Sequence, residues 1–138
     1  MIVLDTNVVS ELMRPAPAAG VIATVDAWSA DAVCLTAITV AELLYGVERL
    51  PDGRRKAELA AMVESMLKDD FDDRVLAFDA AAAAHYADIV ASRERSGRPI
   101  SAADAQIAAT CRSYGATLAT RNVADFVGVG LETVNPWD

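Results

Sequence analysis

The strongest constraint on the fold is an alternation of very short apolar segments with longer amphipathic ones. The short segments are residues 2–4, 33–35, 75–78, 117–119 and 131–134. Between them, apolar residues recur at helical spacing over longer stretches. Strands that alternate with helices form parallel sheets with helices on both faces. The sequence therefore predicts an α/β fold with three layers, α/β/α, around a short-stranded, mainly parallel central sheet.

Helices are predicted from apolar spacing and from turn residues at their ends. They comprise a segment ending at Leu12, residues 21–29 and 40–50, a segment containing 59–67, and residues 80–96 and 101–114. Asp79 and Ser101 are placed to cap the last two helices. The acidic stretch 69–73 is predicted to be a solvated connection. With 138 residues, 54% of them hydrophobic, and no linker or repeat, we expect one domain over residues 1–138.

Composition excludes several classes of function. The single histidine, His85, leaves no multi-histidine zinc site, and its place after an alanine run favours an ordinary helix residue over a triad member. Cys34 and Cys111 have neither CxxC nor zinc spacing. No apolar stretch approaches the roughly 20 residues of a membrane span. Asp5 and Glu11 interrupt any secretory leader, so we expect a cytoplasmic protein without membrane contact.

Acidic side chains are abundant, with 20 Asp and Glu against 12 Lys and Arg and a net charge of −8. Asp5 directly follows the first predicted strand, and Asn122 and Asp125 follow the fourth. Sites in parallel sheets lie beyond the carboxyl ends of the strands. Because Asp and Asn are also common in turns and helix caps, each position has an ordinary structural explanation as well.

Glu42 and Asp104 lie near the predicted starts of helices. Thr39 with Glu42, and Ser101 with Asp104, both match a capping box. Asp104 also lies on the apolar stripe of its helix. That stripe consists of Ile107, Ala108 and Cys111. Burying an unpaired carboxylate costs several kcal/mol, so Asp104 is expected to be paired, metal-bound or at a solvated edge.

Carboxylates that meet at one sheet edge require a counter-charge. Two of them about 4 Å apart repel by roughly 4 kcal/mol at an effective dielectric near 20. These segments contain no lysine, and Arg121 is the one nearby cation. A divalent ion would neutralise them, and oxygen ligands favour Mg²⁺ or Mn²⁺ over zinc. Such a site suits metal-assisted attack of water on a phosphodiester.

Four motifs and the C-terminal segment together carry a resemblance to a known family. They are residues 2–7 (IVLDTN), 36–43 (TAITVAEL), 100–109 (ISAADAQIAA), 118–126 (LATRNVADF) and 134–137 (VNPW). Together they resemble the PIN-domain ribonucleases, specifically the VapC-like toxins of prokaryotic toxin–antitoxin pairs. The resemblance spans essentially the whole chain and implies a PIN-like domain with Mg²⁺-dependent endoribonuclease activity. It also implies an RNA substrate, a VapB-like antitoxin and a homodimer.

The resemblance assigns the family's acidic metal positions to Asp5, Glu42 and Asp104. The fourth catalytic position, an acid in many members, is Asn122, which brings no charge. A second metal would then need another acid or would bind only together with substrate. Asp125 is a candidate for the missing acid. Glu42 is expected to act as a ligand or as proton acceptor from the attacking water. Further candidates to hydrogen-bond the carboxylates or a phosphate are Thr6, Asn7 and Thr120.

The negative net charge opposes an RNA substrate. RNA binding would then depend on local arginines and be sensitive to salt. The candidates are Arg14, Arg49, Arg54, Arg55, Arg98 and Arg121. A helix face could contact an antitoxin or a second copy, or belong to the core. It consists of Leu59, Met62, Val63 and Met66.

Two other functions each share some features with this sequence. Asn122 in place of an acid motivates a catalytically silent protein-binding module on the same fold. A phosphoacceptor receiver domain would need an acidic pair after the first strand and a lysine after the last. The chain does not meet those requirements, because Thr6 and Asn7 follow Asp5 and both lysines, Lys56 and Lys68, lie in the middle helices.

Overall fold

Parallel strands form the central sheet of the computed structural model, which describes residues 1–72 and 74–138. The strands are β1 (Ile2–Leu4), β2 (Val33–Thr36), β3 (Val75–Leu76), β4 (Thr117–Ala119) and β5 (Thr133–Val134). Their order across the sheet is β3-β2-β1-β4-β5, and every pairing is parallel. The three-layer α/β prediction is confirmed.

Helices cover both faces of this sheet. They are α1 (Thr6–Leu12), α2 (Ala19–Asp26), α3 (Ala37–Glu48), α4 (Arg54–Ser65), α5 (Ala80–Arg95) and α6 (Ala102–Tyr114). Short 3₁₀ turns occupy Ala30–Ala32 and Val123–Phe126, and α4 continues into a π-helical turn at Met66–Asp70.

Alternation along the strands divides the core into two halves. Side chains of successive strand residues point to opposite faces of a sheet. Val3 and Leu118 accordingly pack with α5 and α6, whereas Leu4 and Ala119 pack with α1 to α4. Both halves are closed to solvent, which explains why β1 and residues 33–35 of β2 are apolar on both faces rather than alternating with polar residues.

Helix α3 begins three residues earlier than the sequence suggested. Thr36, at the end of β2, has extended backbone and accepts a hydrogen bond from the Thr39 backbone N–H at 3.1 Å. The predicted capping box of Thr39 with Glu42 is therefore wrong, because Thr39 already lies inside the first turn. The other two caps are confirmed: Asp79 accepts from Ala82 N at 3.0 Å, and Ser101 accepts from Asp104 N at 3.2 Å.

Several boundaries differ from the predictions. Strand β3 ends at Leu76, β5 is reduced to Thr133–Val134, and α2 runs from Ala19 to Asp26 rather than over 21–29. Of the predicted acidic connection, Asp69 and Asp70 lie in the π-helical turn that follows α4, and Asp73 lies outside the described residues.

The remaining sequence expectations concern single residues. His85 is half-buried within α5. Cys34 and Cys111 are both buried free thiols, and burial raises the pKa of Cys111 to about 12, so this thiol stays protonated.

Within residues 1–72 and 74–138, no helix is long and apolar enough to cross a membrane. On the α4 face, Val63 belongs to the core, whereas Met62 is 46% exposed.

Two glycines provide a matched test of the backbone. Gly115 ends α6 with φ +67°, whereas Gly46 lies inside α3, and an added Cβ would have open space at both. We expect Gly115→Ala to lower the free energy of unfolding by about 1 kcal/mol, because φ is left-handed there. Gly46→Ala should raise it by about 0.5–1 kcal/mol. Urea unfolding measures both; equal signs for the two changes would contradict this account.

Candidate active site

Three strands end at one edge of the sheet and carry polar residues there. Asp5 follows β1, Thr36 ends β2, and Thr120 follows β4. From β1 the chain builds outward to β2 and β3, and it then crosses to β4 on the other side of β1. The crevice between β1 and β4 is thus a topological switch point, where α/β sheets bind ligands.

Asp5 is fixed at this switch point by hydrogen bonds. Its Oδ1 accepts from the backbone N–H of Thr6 at 2.8 Å, which makes Asp5 the N-cap of α1. Its Oδ2 accepts from Thr120 Oγ1 at 2.7 Å and from Asn7 Nδ2 at 3.3 Å. The side chain is 5% exposed. Asp5 therefore caps α1 and also lies in the crevice at the switch point, so the two roles expected from its sequence position do not exclude each other.

Glu42 reaches the same region from α3. Its Oε1 accepts a hydrogen bond from Thr6 Oγ1 at 2.8 Å, and the Thr6 oxygen lies 3.1 Å from Thr39 Oγ1. Thr39 is fully buried beside the Thr36 cap, whereas Glu42 is exposed. Because α3 begins at Ala37, Glu42 lies in its second turn, three residues after Thr39 and on the same helix face.

Asp104 approaches from the first turn of α6. Its backbone N–H bonds to the Ser101 cap, and its side chain is half-buried. The positive end of the helix dipole favours a carboxylate at this position. Of the three environments expected for Asp104, namely paired, metal-bound or at a solvated edge, the structure shows the last, because this side chain lines an open pocket.

One pocket of about 580 Å³ collects the predicted acidic residues. Asp5, Glu42 and Asp104 line it, and Asn122 lies on the same wall. Thr6 and Asn7 also line it, whereas Thr120 supports it from beneath through the bond to Asp5.

Asp125 does not line the pocket, but its charge reaches the pocket residues. It lies in the Val123–Phe126 turn, where its backbone N–H bonds to the Asn122 carbonyl oxygen at 3.0 Å. Its negative charge contributes to raising the pKa values of Asp5 and Asp104. Asp125 therefore adds to the negative potential of the site without entering its wall.

Burial and mutual repulsion disfavour ionised carboxyl groups in this pocket. Burial raises the pKa of Asp5, hydrogen bonds from Thr120 and Thr6 oppose the rise, and the charge of Glu42 adds to it. For Asp104, burial also comes first, followed by the charge of Asp5. A positive charge placed among these groups would reverse the effect by stabilising their ionised forms.

The pocket supplies oxygen ligands of the kind that a hard cation binds, although they do not yet form a complete metal site. Carboxylate oxygens from three elements, α3, α6 and the β1–α1 junction, face one pocket, and an amide oxygen is available from Asn122. Such all-oxygen sets suit Mg²⁺ or Mn²⁺. Among residues 1–72 and 74–138, no three acidic, histidine or cysteine side chains are already close enough to hold a metal ion.

Comparison with known proteins places the chain in a family. The profile of the PIN domain matches residues 2–127. The chain belongs to the PIN-domain family. It is 42% identical over 138 residues to VapC ribonuclease Y4jK of Sinorhizobium fredii, covering 100% of this chain and 99% of that protein. It is equally 42% identical over 137 residues to toxin FitB of Neisseria gonorrhoeae, covering 99% of each.

The fold agrees with this PIN assignment. The solved structure of VapBC-1 from nontypeable Haemophilus influenzae matches with a TM-score of 0.84 at 27% identity, covering 100% of both chains. The family resemblance read from the motifs and the PIN-like fold are therefore confirmed, and this chain is a VapC-like PIN domain.

Sequence reasoning missed a buried carboxylate in the wall of this PIN pocket. Glu11, at 7% exposure, accepts from Ala18 N at 3.0 Å and from Arg14 Nη1 at 3.1 Å. The Ala18 N–H first, and then Arg14, hold the pKa of Glu11 below its usual value. The spacing of Glu11 and Arg14 suggests an ion pair on α1, but only the folded loop shows that Glu11 also ties down the start of α2.

Thr120 connects three groups of the PIN pocket, and its removal should be measurable. Its hydroxyl donates to Asp5 and accepts from Asn122 N at 3.1 Å and Asn7 Nδ2 at 3.3 Å. We expect Thr120→Val to lower the free energy of unfolding by about 2 kcal/mol, because buried polar groups lose their partner. Thr120→Ser keeps the hydroxyl and should lose less than half as much. Chemical denaturation compares the two variants. Equal losses would mean that the hydroxyl contributes no more to stability than the methyl group does, which would contradict this account.

Proposed function

We propose that this PIN domain is the toxin of a toxin–antitoxin pair and hydrolyses RNA phosphodiesters with Mg²⁺ or Mn²⁺. One observation carries the proposal: Asp5, Glu42 and Asp104, which are distant in sequence, line one pocket at the switch point of the sheet. The full-length similarity to a protein named a ribonuclease supports the same conclusion. Because its substrate would be cellular RNA, the protein is proposed to act in the cytoplasm.

Asp5 and Asp104 would hold the cation, with Glu42 as a third ligand or as proton acceptor from the attacking water. The cation would supply Lewis-acid chemistry, activating water and neutralising charge that develops on a phosphate. The chain itself orients the acids: Thr120 and Asn7 fix Oδ2 of Asp5, and Thr6 fixes Oε1 of Glu42. Asn122 would contribute a neutral oxygen or hold a water.

An antitoxin partner is supported by a groove that adjoins the acidic pocket. This apolar groove, of about 490 Å³, runs between α1, α3 and α4 and shares Thr6, Ser10, Arg14 and Glu42 with the pocket. Its apolar wall consists of Leu43, Val47, Leu59, Met62 and Val63. We propose that a VapB-like antitoxin lies along the groove and extends a basic side chain toward the carboxylates, since opposite charges favour that register.

A homodimer is the second proposed assembly. Leu44 and Tyr45 on α3 are 51% and 67% exposed, and apolar residues exposed to this degree mark candidate contact surfaces. Light scattering on the purified chain measures the oligomeric state, and a monomer at all concentrations would exclude the dimer.

A catalytically silent PIN-fold binding module is the second candidate function. Asn122 lacks the charge of an acid, and among the described residues the acidic groups are not gathered for metal binding. Such a module would bind an antitoxin-like partner through the same apolar groove but would leave RNA intact.

RNA cleavage separates the two candidates. Deproteinised total cellular RNA is incubated with the purified protein in Mg²⁺, in Mn²⁺, or in EDTA, and new RNA ends are mapped by sequencing. The nuclease proposal expects discrete cuts that require Mg²⁺ or Mn²⁺ and disappear in EDTA. Intact RNA under all three conditions, from a folded protein freed of antitoxin, would reject the nuclease and leave the binding module.

A further inference from the structure

We propose that Arg121, held against the indole of Trp137, binds a backbone phosphate of the RNA strand at the rim of the acidic pocket. This inference rests on the proposed nuclease function and names the residue that recognises its substrate. Both side chains line the pocket together with Asp5, Glu42 and Asp104.

The charge of the pocket creates the need for such a contact. Carboxylates of Asp5, Glu11, Glu42 and Asp104 line it, and the whole chain carries a net charge of −8. An RNA backbone is repelled by this surface unless a local cation offsets the repulsion. Two arginines, Arg14 and Arg121, are the basic residues in the pocket wall.

Arg14 is already committed to a carboxylate. Its Nη1 lies 3.1 Å and 3.4 Å from the two carboxylate oxygens of Glu11. Arg121, in contrast, forms no salt bridge within the part of the chain that the structure describes. The charge of Arg121 contributes to lowering the pKa of Glu11, but its guanidinium is not paired with that carboxylate and therefore remains available to an incoming phosphate.

The other arginines considered from the sequence are placed elsewhere. Arg54 pairs with Glu58 at 2.9 Å on the surface of α4, and Arg55 lines the apolar groove. Arg49 and Arg98 are exposed and are not part of the pocket wall. Of the six candidates, the structure thus brings only Arg14 and Arg121 to the acidic pocket.

Arg121 is held in position on both its backbone and its side chain. The guanidinium carbon lies 4.9 Å from the centroid of the Trp137 ring, a cation–π contact. The Arg121 backbone N–H bonds to Asn7 Oδ1 at 3.3 Å, and Asn7 also bonds to Asp5. The position of Arg121 is therefore coupled directly to the acidic site.

Trp137 is itself anchored. Its backbone N–H donates to Asn135 Oδ1 at 2.9 Å, and its ring packs against the core half formed with α1 to α4. Asn135 Nδ2 in turn bonds to the Arg121 carbonyl oxygen at 3.5 Å. The ordered C-terminal segment thus serves as a platform for one guanidinium.

A guanidinium stacked on one face keeps its N–H edges available. These edges match two oxygens of a phosphate in a bidentate contact. Because the side chain is ordered before binding, less conformational entropy is lost when the contact forms. A basic antitoxin side chain would gain nothing from Arg121, since the charges are alike, and this favours the RNA phosphate as the ligand.

RNA binding without cleavage tests the inference. Fluorescein-labelled total tRNA is titrated with protein in EDTA, in an Asp104→Asn background, and the affinity is measured by anisotropy over a series of salt concentrations. We expect Arg121→Ala to weaken binding about tenfold, the effect of losing a charged hydrogen-bonding partner. The slope of log affinity against log salt should fall by about 0.7–1, the value for one phosphate contact.

Three further variants test whether the loss of RNA affinity comes from the phosphate contact rather than from a change in net charge or in folding. Arg95→Ala removes an exposed arginine of α5 that is outside the pocket wall, and it should leave affinity and slope nearly unchanged. Arg121→Lys keeps the charge but not the planar fork, so its affinity should be intermediate. Trp137→Leu should weaken binding while preserving the salt slope, because the phosphate contact remains but its orientation is lost.

Tryptophan emission provides an independent readout. The chain has two tryptophans, so Trp28→Phe leaves Trp137 as the single reporter. RNA should change its emission in the Trp28→Phe protein, and Arg121→Ala in that background should remove most of the change.

The outcomes distinguish failure of this inference from failure of the proposed function. If wild-type protein cleaves RNA but Arg121→Ala retains its affinity and salt slope, the inference is overturned and the nuclease stands. If no preparation cleaves RNA but the Arg121-dependent salt slope persists, the contact stands and the nuclease fails. If Arg121→Ala weakens binding to the antitoxin and not to tRNA, the contact belongs to the antitoxin and the inference is overturned.

Discussion

Asp5→Asn and Asp104→Asn are each expected to reduce RNA cleavage by about 10³-fold, the equivalent of several kcal/mol of lost transition-state stabilisation. Both residues line the pocket, and the amide that replaces either one carries no charge to hold a cation. The initial rate of cleavage of a mapped RNA site, measured at saturating Mg²⁺, provides the comparison with wild type.

The fold should survive these two changes, which makes the loss of activity interpretable. Asn is as good an N-cap as Asp, so Asp5→Asn preserves the start of α1. Each change also removes a charge that its neighbours repel. The thermal midpoint of Asp104→Asn in EDTA should therefore be no lower than that of wild type. That of Asp5→Asn should lie a few degrees lower, because the new amide N–H₂ replaces the oxygen that accepts from Thr120 and Asn7, but the protein should remain folded at the assay temperature.

A matched variant controls for the change in net charge. Asp31→Asn removes an exposed carboxylate in the Ala30–Ala32 turn, away from the pocket, and should cleave RNA at the wild-type rate. Equal cleavage by all four preparations, wild type included, would mean that a contaminating nuclease is responsible, and it would refute the catalytic role of Asp5 and Asp104.

The sheet and its functional edge could be predicted because both follow from local patterns. Runs such as residues 2–4 and 117–119 are short, mostly apolar and bounded by turn residues, which favours buried strands, and parallel strands end at one edge. A polar residue directly after such a strand, as Asp5 and Thr120 are, must then lie at that edge. Asp5 and Thr120 are therefore brought together by the parallel register of β1 and β4.

The start of α3 could not be predicted in this way. Thr36 and Thr39 are both acceptable N-caps, because either hydroxyl could accept a hydrogen bond from the backbone N–H three residues later. The choice depends on where β2 stops pairing with β3, which is a tertiary property: Thr36 is the last paired residue of β2, opposite Leu76. Helix α3 therefore begins at Ala37, directly after this pairing ends.

Arg93 is a residue whose importance no sequence pattern reveals. It lies in the last turn of α5, at 8% exposure, and its partners are backbone carbonyl oxygens. Nε donates to the Arg98 carbonyl at 2.6 Å, and Nη1 donates to that of Asp125 at 2.9 Å. Because every residue type has a carbonyl group, such contacts leave no complementary side chain to find in the sequence.

The position of Arg93 links two segments that serve the pocket. Residues 96–101 lead from α5 into α6 and its Asp104, and the Val123–Phe126 turn follows Asn122. One guanidinium bonds to both segments, and also to the Val127 carbonyl oxygen at 3.3 Å. It therefore holds together the parts of the chain that carry Asp104 and Asn122.

Arg93→Met is accordingly expected to lower the free energy of unfolding by about 3–5 kcal/mol, because the carbonyl oxygens that the guanidinium satisfied lose a charged donor. Such a loss shifts the thermal midpoint by on the order of 10 °C in a domain of this size. Methionine fills a similar apolar volume, so the loss reports on the hydrogen bonds more than on packing.

Two variants determine whether the guanidinium itself is responsible. Arg93→Lys keeps the charge but cannot span both segments, so it should recover less than half of the lost stability. Arg95→Met removes the same charge from an exposed position two residues along α5 and should change stability by less than about 0.5 kcal/mol. Denaturant unfolding compares all three with wild type. If Arg93→Met were as stable as Arg95→Met, the buried guanidinium would not be what joins these two segments.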